Sequence, residues 1–430
     1  MNSQLRIASI VGARPQFIKL APIISAVKEY NRKITNPINS INAVNHILVH
    51  TGQHYDYLMS KVFFDELGIP EPDYNLEVGS GTHGWQTAEM IKRIEKVLLK
   101  EKPHIVLVYG DTNSTLAGAL ASSKIKYSIT QSRNQRCRPL VAHIEAGLRS
   151  YNKNMPEEIN RVLTDHCSDI LFCPTKTAIS NLQKEGFTNI FNEGKLIDEA
   201  FINNYLPIYQ FTHSPVVLNV GDIMYDALLI SLKIAEKKSN ILSALSLELR
   251  KYYLCTIHRA ENTDNPERLK TIIEALIEIS KEKMVIFPIH PRTRKIIEMN
   301  YSSLVTNHSS LVVINPVSYF DMLLLEKHAA KILTDSGGVQ KEAYILGVPC
   351  ITLREETEWT ETVEAGWNML VGADKEKIMN AEKLATQNLA MGCNPPFPIH
   401  NSPFATRNLY GDGQASTKII EVLLGIAWSG

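Results

Sequence analysis

The stretch that decides the fold is LRIASIVGARPQFIKLAPIISAV, residues 5–27. Its first seven residues are mostly apolar and include β-branched side chains, which is typical of a buried strand. Gly12 follows, and beyond Pro15 apolar residues recur at helical spacing. Proline is favoured in the first turn of a helix, because the N–H that it lacks has no acceptor there. The stretch therefore predicts a strand, a tight turn and a helix.

The same strand–turn–helix pattern recurs along the chain in two series. The first series includes residues 105–109 and 140–144, and the second includes 252–257, 284–289 and 331–334. Buried strands that alternate with amphipathic helices are typical of parallel, doubly wound sheets. The pattern therefore predicts an α/β protein with two Rossmann-like lobes and an active-site cleft between them.

A chain of 430 residues is too long for one ordinary hydrophobic core, so we expect two domains. The predicted parts are an N-terminal lobe at 1–210, a C-terminal lobe at 215–400, and a final segment at 401–430 that crosses back to the first lobe. Polar stretches that we interpret as surface insertions lie near residues 31–45, 126–138 and 189–213.

Composition and charge exclude several classes of protein. The 45 basic and 45 acidic residues cancel, which argues against a nucleic-acid-binding protein, and 44% hydrophobic residues argue against a disordered chain. The sequence shows neither a signal peptide nor a long uncharged run that predicts a membrane span. Six cysteines without a C-x-x-C motif are typical of reduced thiols. We therefore expect a soluble, cytoplasmic enzyme.

Polar side chains follow the predicted strands of the first lobe. Ligands of such sheets bind outside the carboxyl ends of the strands. Arg14 and Lys19 come after the first strand, and three carboxylates, Asp111, Glu145 and Glu157, come after later ones. Carboxylates at a binding site can transfer protons. We therefore interpret the first lobe as the acid–base side.

The second lobe presents a different set of residues at its strand ends. These are His258, His290, Ser336, Gly337, Gly338 and Glu342. A Ser-Gly-Gly turn that opens a helix can point backbone N–H groups at an anion, and the helix N-terminus adds partial positive charge. A diphosphate suits such a turn, so we interpret the second lobe as the nucleotide-binding side.

Each of these residues also has a structural explanation. Asp111 can cap the helix that follows it. One of the adjacent acids Glu157 and Glu158 can serve only to start a helix. His143, inside an apolar strand, is more typical of a buried core histidine than of a catalyst. The occurrence of polar clusters at successive strand ends nevertheless favours a shared site.

The absence of known motifs narrows the chemistry. The chain lacks G-x-G-x-x-G for a nicotinamide, G-x-x-x-x-G-K-[ST] for a P-loop, H-E-x-x-H for zinc and G-x-S-x-G for a serine hydrolase. We therefore predict an enzyme without a metal and without a cofactor.

Read in order, the strand-end motifs resemble the UDP-N-acetylglucosamine 2-epimerase family, of the non-hydrolysing type. The motifs are GARPQFIKLAPII, TGQHYD, GDTNSTLAGALAS, HIEAGLRS, MPEEINR, HRAENTDN, FPIHPRT and DSGGVQKEAYILGVPCITLREETEW. The combination of HIEAGLRS, PEEINR and DSGGVQKEA is highly specific, and the match runs nearly end to end. GDIMYDA, HRAENTD and REETEWTET also resemble the branch that contains UDP-2,3-diacetamido-2,3-dideoxyglucuronate 2-epimerases, as well as archaeal epimerases.

The resemblance implies the GT-B fold, a homodimer, and a role in polysaccharide biosynthesis for the cell envelope. It implies interconversion of UDP-GlcNAc and UDP-ManNAc without a cofactor. The catalytic residues that it implies are Asp111, Glu145, Glu157 and His258. The substrate-binding residues that it implies are Arg14 and Lys19 near the sugar and phosphates, His290, Ser336, Gly337 and Gly338 at the diphosphate, and Glu342 at the ribose.

The chemistry of the reaction fits this set of residues. The C2 hydrogen is not next to a carbonyl, so direct deprotonation is unfavourable. Elimination of UDP from C1 with loss of the C2 proton gives a 2-acetamidoglucal, and re-addition on the other face completes the epimerisation. This route needs carboxylates to move protons and cations or amides to bind the diphosphate.

Four alternatives stay open at this point. The chain can be a diacetamidoglucuronate 2-epimerase, in which Arg149 or Arg292 meets the acidic C6 group. It can be a hydrolysing 2-epimerase, which differs in whether water reaches the glycal. More distant alternatives are a GT-B glycosyltransferase and an inactive nucleotide-binding regulator. Trp359, where many bacterial members have arginine, argues against allosteric activation by a second UDP-GlcNAc.

Overall fold

A computed structural model describes residues 4–34, 43–53, 64, 67–127, 137–205, 215–301, 308–357, 359–390 and 409–428. The chain divides into two compact units. The first unit comprises residues 1–229 together with 408–430, and the second comprises residues 230–407.

The first unit contains a sheet of seven parallel strands in the order β3-β2-β1-β4-β5-β6-β7. Its strands are β1 (Leu5–Val11), β2 (Val44–His50), β3 (Tyr74–Asn75), β4 (Ile105–Tyr109), β5 (Leu140–Ile144), β6 (Ile170–Cys173) and β7 (Val216–Asn219). In register, Ile10 of β1 lies between Val49 of β2 and Val108 of β4. The order reverses direction at β1 and β4, which is typical of a doubly wound sheet.

Helices connect these strands in the described residues. They are α1 (Arg14–Lys33), α2 (His83–Glu101), α3 (Asn113–Lys124), α4 (Pro156–Cys167), α5 (Lys176–Lys184) and α6 (Glu199–Tyr205). Helix α7 (Ile223–Lys238) follows β7 and continues past residue 229 into the residues of the second unit. The turn between β1 and α1 is fixed by Gln16. Its Oε1 accepts hydrogen bonds from the N–H groups of Gly12 (2.8 Å) and Ala13 (3.0 Å). Gln16 Nε2 donates to the carbonyl of Tyr109 at 3.0 Å, so one side chain joins the ends of β1 and β4.

The second unit contains a sheet of six parallel strands in the order β10-β9-β8-β11-β12-β13. Its strands are β8 (Tyr252–Thr256), β9 (Met284–Pro288), β10 (Leu311–Ile314), β11 (Lys331–Thr334), β12 (Cys350–Thr352) and β13 (Asn368–Leu370). Its helices are α8 (Ile241–Ala244), α9 (Ala260–Thr263), α10 (Pro266–Ser280), α11 (Pro291–Asn300), α12 (Tyr319–His328), α13 (Gly337–Leu346), α14 (Thr360–Glu364) and α15 (Lys375–Ala390).

The prediction of two Rossmann-like lobes with parallel sheets is confirmed. The helix α16 (Ala415–Trp428) packs against α1 and α6 in the first unit. Strand β7 lies in the first sheet, although the sequence analysis places residue 215 at the start of the second lobe. Strand β7 has only four residues and pairs with β6, with Val217 opposite Leu171. The spacing of apolar residues along the sequence does not reveal this pairing.

No helix among the described residues is long and apolar enough to cross a membrane. Parts of the three predicted insertions, and most of the loop before α16, lie outside the described residues. Within each unit the apolar core consists of strand side chains and the inner faces of the helices. Examples are Val106 and Ile94 in the first unit and Leu333 and Ile272 in the second.

Candidate active site

A buried ion pair lies where β1 and β5 end. Lys19, on α1, donates a hydrogen bond from Nζ to Glu145 Oε2. Their side chains are only 10% and 11% exposed. Burial alone lowers the pKa of Lys19, but the charges of Glu145 and Asp111 outweigh that effect and raise it. Lys19 therefore stays an ammonium at neutral pH and places a positive charge against Glu145.

Asp111, directly beyond β4, is held by side chains of α4. Arg161 donates from Nη2 to Asp111 Oδ2, and Asn160 donates to the main-chain oxygen of Asp111 at 3.0 Å. Arg161 also donates to Glu158, whose carboxylate accepts the N–H of Ser150 at 3.0 Å. Burial lowers the pKa of Arg161, but Asp111 and Glu158 outweigh burial, so the pKa is raised overall. We refer to Lys19, Asp111, Glu145 and Arg161 as the acidic cluster.

The backbone of Glu145 adopts an uncommon conformation. Its φ of 75° lies in the left-handed region, which side chains other than glycine disfavour. The N–H groups of Glu145 and Ala146 both donate to the carbonyl of Phe172, at 3.1 and 3.0 Å, and so hold the turn. Such a conformation costs about 1–3 kcal/mol and is concentrated at functional sites. Here it directs the Glu145 carboxylate to Lys19.

Two predicted site residues of the first unit are exposed. Glu157 lies in the first turn of α4, and Arg14 is the first residue of α1. The adjacent Glu158 is only 3% exposed and makes the buried contacts to Arg161. The structure thus brings Lys19, Asp111 and Glu145 into one cluster, while Glu157 and Arg14 stay predictions.

A single buried carboxylate organises the strand ends of the second unit. Asp335, 0% exposed, accepts the N–H of His258 at 3.0 Å and the N–H of Arg259 at 3.0 Å. Asn262 Nδ2 donates to the same carboxylate at 3.1 Å. These contacts fix the loop after β8 against the loop after β11, so Asp335 sets the position of the His258 backbone.

The two predicted histidines are neighbours at this edge. The ring centroids of His258 and His290 are 6.1 Å apart, and His258 Nδ1 lies 3.4 Å from Asp335 Oδ1. Burial lowers the pKa of His258, and the positive charges of Arg259 and His290 add to this effect, while Asp335 opposes it. His258 therefore favours the neutral form, which can accept or donate a proton.

The turn of Ser336, Gly337 and Gly338, here called the anion-binding turn, opens α13. Ser336 Oγ accepts the N–H of Val339, which caps the helix. The first N–H groups of a helix have no acceptor within the helix, so those of Gly337 and Gly338 can meet an anion. Gly338 is exposed, and a Cβ there would meet only Ser336 Oγ, at 3.8 Å.

Glu342 lies on the second turn of α13. Tyr319 donates its hydroxyl to Glu342 Oε1 at 3.1 Å. The neighbouring Glu326 is fully buried, and burial raises the pKa of its carboxyl well above the ordinary value, as does the charge of Glu342. Burial and the charge of Glu342 therefore both favour the neutral form of Glu326.

Sequence analysis did not select two residues that organise these sites, Arg161 and Asp335. Each lies inside a motif that carries the family resemblance, because Arg161 ends MPEEINR and Asp335 begins DSGGVQ. The suggestion that Arg149 meets an acidic sugar group is wrong. Its side chain is 1% exposed and is paired with Asp165 and Glu185. The side chain of Arg292 lies outside the described residues.

Among the residues that the structure describes, no group of three or more His, Cys, Asp or Glu side chains is arranged to hold a metal ion. The acidic cluster consists instead of carboxylates neutralised by Lys19 and Arg161. Such an arrangement can hold ionised carboxylates out of water and can transfer protons.

Comparison with known proteins gives consistent matches over both units. The sequence profile of the family described as UDP-N-acetylglucosamine 2-epimerase matches residues 36–424. A Methanococcus maripaludis protein named UDP-N-acetylglucosamine 2-epimerase homolog is 51% identical, over 97% of this chain and 99% of that protein. A Pseudomonas aeruginosa protein named UDP-2,3-diacetamido-2,3-dideoxy-D-glucuronate 2-epimerase is 44% identical, with the same coverage of each chain.

A solved structure also matches nearly the whole chain. It is the crystal structure of Methanocaldococcus jannaschii UDP-GlcNAc 2-epimerase in complex with UDP-GlcNAc and UDP. The TM-score is 0.68 and the sequence identity 44%, over 97% of this chain and 99% of that chain. The match confirms the predicted GT-B-like fold class.

Proposed function

This chain belongs to the UDP-N-acetylglucosamine 2-epimerase family, and from that premise we propose that it interconverts UDP-GlcNAc and UDP-ManNAc. The observation that carries the proposal is the acidic cluster, in which Lys19 binds Glu145 beside Asp111. A 2-epimerase needs ionised carboxylates that can take and return a proton, and this cluster supplies them.

In the proposed reaction, the bond between C1 and the UDP oxygen breaks and its electron pair leaves with UDP. A carboxylate of the acidic cluster takes the C2 proton, and a double bond forms between C1 and C2. Return of a proton to the other face of C2, with re-addition of UDP at C1, gives the epimer. Asp111 and Glu145 are the proposed proton-transfer groups, with Glu157 as a third carboxylate and Lys19 as the partner of Glu145.

The leaving diphosphate needs donors whose charge does not titrate. We assign this role to the anion-binding turn, whose amides are fixed by the start of α13. Glu342, positioned by Tyr319, is the proposed partner of the ribose hydroxyls. His258 is assigned to the active site together with His290, and Arg14 to the sugar and phosphates. Oriented donors of this kind stabilise developing negative charge without reorganisation.

A second substrate, UDP-2,3-diacetamido-2,3-dideoxyglucuronate, is favoured by one relative at 44% identity. The relative named as a homolog of the plain epimerase is more similar, at 51% identity. An acidic C6 group needs a cation near the sugar, and Arg149 is already paired with Asp165. We therefore propose the N-acetylglucosamine form as the substrate and the glucuronate form as the alternative to test.

We also propose a homodimer in the cytoplasm. Ile159 and Leu163 of α4 and Met155, which directly precedes it, recur every four residues, and all three are exposed. An apolar stripe on a helix commonly becomes buried when two copies associate. The described cysteines are all free thiols, which suits a reducing compartment. Light scattering checks the mass in solution, and Ile159→Lys should lower it if the stripe is the interface.

Incubation with each UDP-sugar in heavy water tests the proposed reaction. Proton NMR should show loss of the C2 signal and appearance of the epimer, without stoichiometric free UDP. Free UDP with free N-acetylmannosamine would instead identify a hydrolysing enzyme. Sugar transfer to an acceptor without deuterium at C2 would identify a glycosyltransferase. An absence of exchange with every UDP-sugar would contradict the proposal.

A further inference from the structure

A histidine that the proposed chemistry does not use lies directly beneath the acidic cluster. His143, on β5, is 0% exposed. Its Nε2 lies 2.7 Å from the carbonyl oxygen of Gly110, and its Nδ1 lies 2.6 Å from Asp165 Oδ1. Both neighbours are hydrogen-bond acceptors, so each ring nitrogen of His143 faces an acceptor. A fully buried histidine with two such short contacts is held in one orientation.

Asp165, on α4, joins His143 to the loop after β5. Its Oδ2 accepts the N–H of Gly147 at 3.1 Å and Nη1 of Arg149 at 2.7 Å. Burial alone raises the pKa of Asp165, but His143 and Arg149 outweigh burial and lower it. Asp165 is therefore ionised at neutral pH. One buried carboxylate thus fixes both the ring of His143 and the loop that begins with Glu145.

The array continues outward to the surface. Arg149 donates from Nε and Nη2 to the two carboxylate oxygens of Glu185, each at 2.7 Å. This two-bond geometry is the strongest that an arginine and a carboxylate form. The side chain of Glu185 is 25% exposed, whereas those of Arg149, Asp165 and His143 are at most 1% exposed. We refer to these four residues as the buried array.

The inner end of the buried array contacts the backbone of the acidic cluster. Gly110, whose carbonyl faces His143, has φ of +62° and directly precedes Asp111. A Cβ at Gly110 would lie 2.9 Å from Lys19 Nζ and 3.2 Å from Glu145 Oε2. The position of the Gly110 peptide therefore determines how close Asp111, Lys19 and Glu145 can come.

We propose that His143 and Asp165 are positioning residues for the epimerisation, because together they hold the loop of Gly110 and Asp111 against the loop of Glu145. This inference rests on the proposed function. The two carboxylates belong to loops after different strands, and the buried array is the set of contacts that joins these loops from below. A displacement of about 1 Å between reacting groups can lower turnover about a hundredfold.

Two variants of His143 separate its two contacts. In His143→Gln, the amide N–H group takes the place of Nε2 and can still donate to Gly110. In His143→Asn, the shorter amide takes the place of Nδ1 and can still donate to Asp165 but not to Gly110. We expect His143→Asn to lower kcat roughly tenfold to a hundredfold and His143→Gln only about threefold, with KM and UDP affinity unchanged in both.

Three measurements are made on the same preparations. Deuterium exchange at C2 gives kcat, titration calorimetry gives the affinity for UDP, and thermal denaturation gives the melting temperature. If His143 has only a structural role, both variants should have a lower melting temperature. At temperatures below that melting point, their kcat should then equal that of the wild type, and this result would overturn the proposal. If His143→Asn does not fold, Glu185→Gln at the exposed end should still lower kcat, because it weakens the hold on Arg149. The loss should be only about threefold, because Arg149 keeps Asp165 as its partner. An unchanged kcat there would also overturn the proposal.

Measurement of the wild-type protein in the same assays separates the proposed function from the positioning role of His143. An absence of C2 exchange in the wild type contradicts the proposed function. An active wild type with an equally active His143→Asn contradicts only the positioning role.

Discussion

The strand ends of the two units use buried charge in different ways. In the first unit, the carboxylates Asp111 and Glu145 are paired with the cations Arg161 and Lys19. In the second, the single buried carboxylate Asp335 binds backbone N–H groups. Paired side chains can exchange protons, whereas fixed amides bind an anion at any pH. The comparison therefore supports our proposal that the first unit transfers protons and that the anion-binding turn of the second unit binds the diphosphate.

The largest expected effect comes from removing a charge in the acidic cluster. Glu145→Gln should lower the rate of C2 exchange by about a hundredfold or more, since the neutral amide cannot take the proton. UDP affinity, measured by calorimetry, should change little. The matched control is Glu71→Gln, which alters an exposed carboxylate of the same unit and should keep wild-type turnover. Equal turnover in Glu145→Gln and the control would contradict the proposal that Glu145 transfers a proton.

A smaller effect is expected from crowding the same cluster without changing its charge. In Gly110→Ala, the new Cβ meets Lys19 Nζ at 2.9 Å, and the positive φ adds about 1–2 kcal/mol of strain. We expect kcat to fall roughly tenfold, as measured by C2 exchange, with KM unchanged. Gly84→Ala, in the first turn of α2 in the same unit, is the matched control, because a Cβ there meets nothing within 4 Å. Equal losses in the two variants would contradict the effect expected from crowding the acidic cluster.

Variants of Glu342 and Tyr319 in the second unit should change the affinity for UDP and not the turnover. Glu342→Ala removes the charged partner proposed for the ribose, so UDP should bind about tenfold more weakly. Tyr319→Phe removes only the hydroxyl that donates to Glu342, and we expect a loss of about threefold. Calorimetry measures both. If either variant lowered kcat at saturating substrate while the Kd of UDP stayed constant, the second unit would take part in the chemistry.

The last prediction concerns the stability of the first sheet and not the reaction. Burial lowers the pKa of His46 from 6.5 to about 4, and its Nε2 contacts Ser9 Oγ at 2.8 Å. Below pH 6.5 the unfolded chain binds a proton that the folded His46 does not, so stability falls as the pH drops towards 4. The loss is at most about 3 kcal/mol. Denaturant unfolding of His46→Gln should show a flatter pH dependence, and an equal slope in both proteins would contradict the prediction.

The sequence predicts the architecture because strand and helix periodicities are local properties. The end of β1, the start of α1 and the anion-binding turn all follow from side chains within a few residues of one another. Asp111 and Glu145 are likewise found at strand ends. Strand β7 is missed, since it has only four residues and its ladder partner β6 lies more than forty residues earlier in the chain.

Long-range pairing is what the sequence does not predict. Lys19 and Glu145 are 126 positions apart, and Arg161 and Asp111 are 50 apart, so no spacing rule joins them. The sequence also leaves open whether Glu157 or Glu158 is buried. The register of α4 decides this, because it turns Glu158 inward to Arg161 and leaves Glu157 exposed. Arg149 was likewise misassigned because its partner Asp165 comes from another element.

The central claim is that carboxylates of the first unit move the C2 proton, while the anion-binding turn and Glu342 of the second unit bind the nucleotide. Asp111→Asn tests it most directly when C2 exchange and UDP affinity are measured on the same preparation. The account predicts a loss of exchange of about a hundredfold or more with UDP affinity within about twofold of wild type. A variant that keeps its exchange rate at saturating substrate but loses UDP affinity would contradict the account.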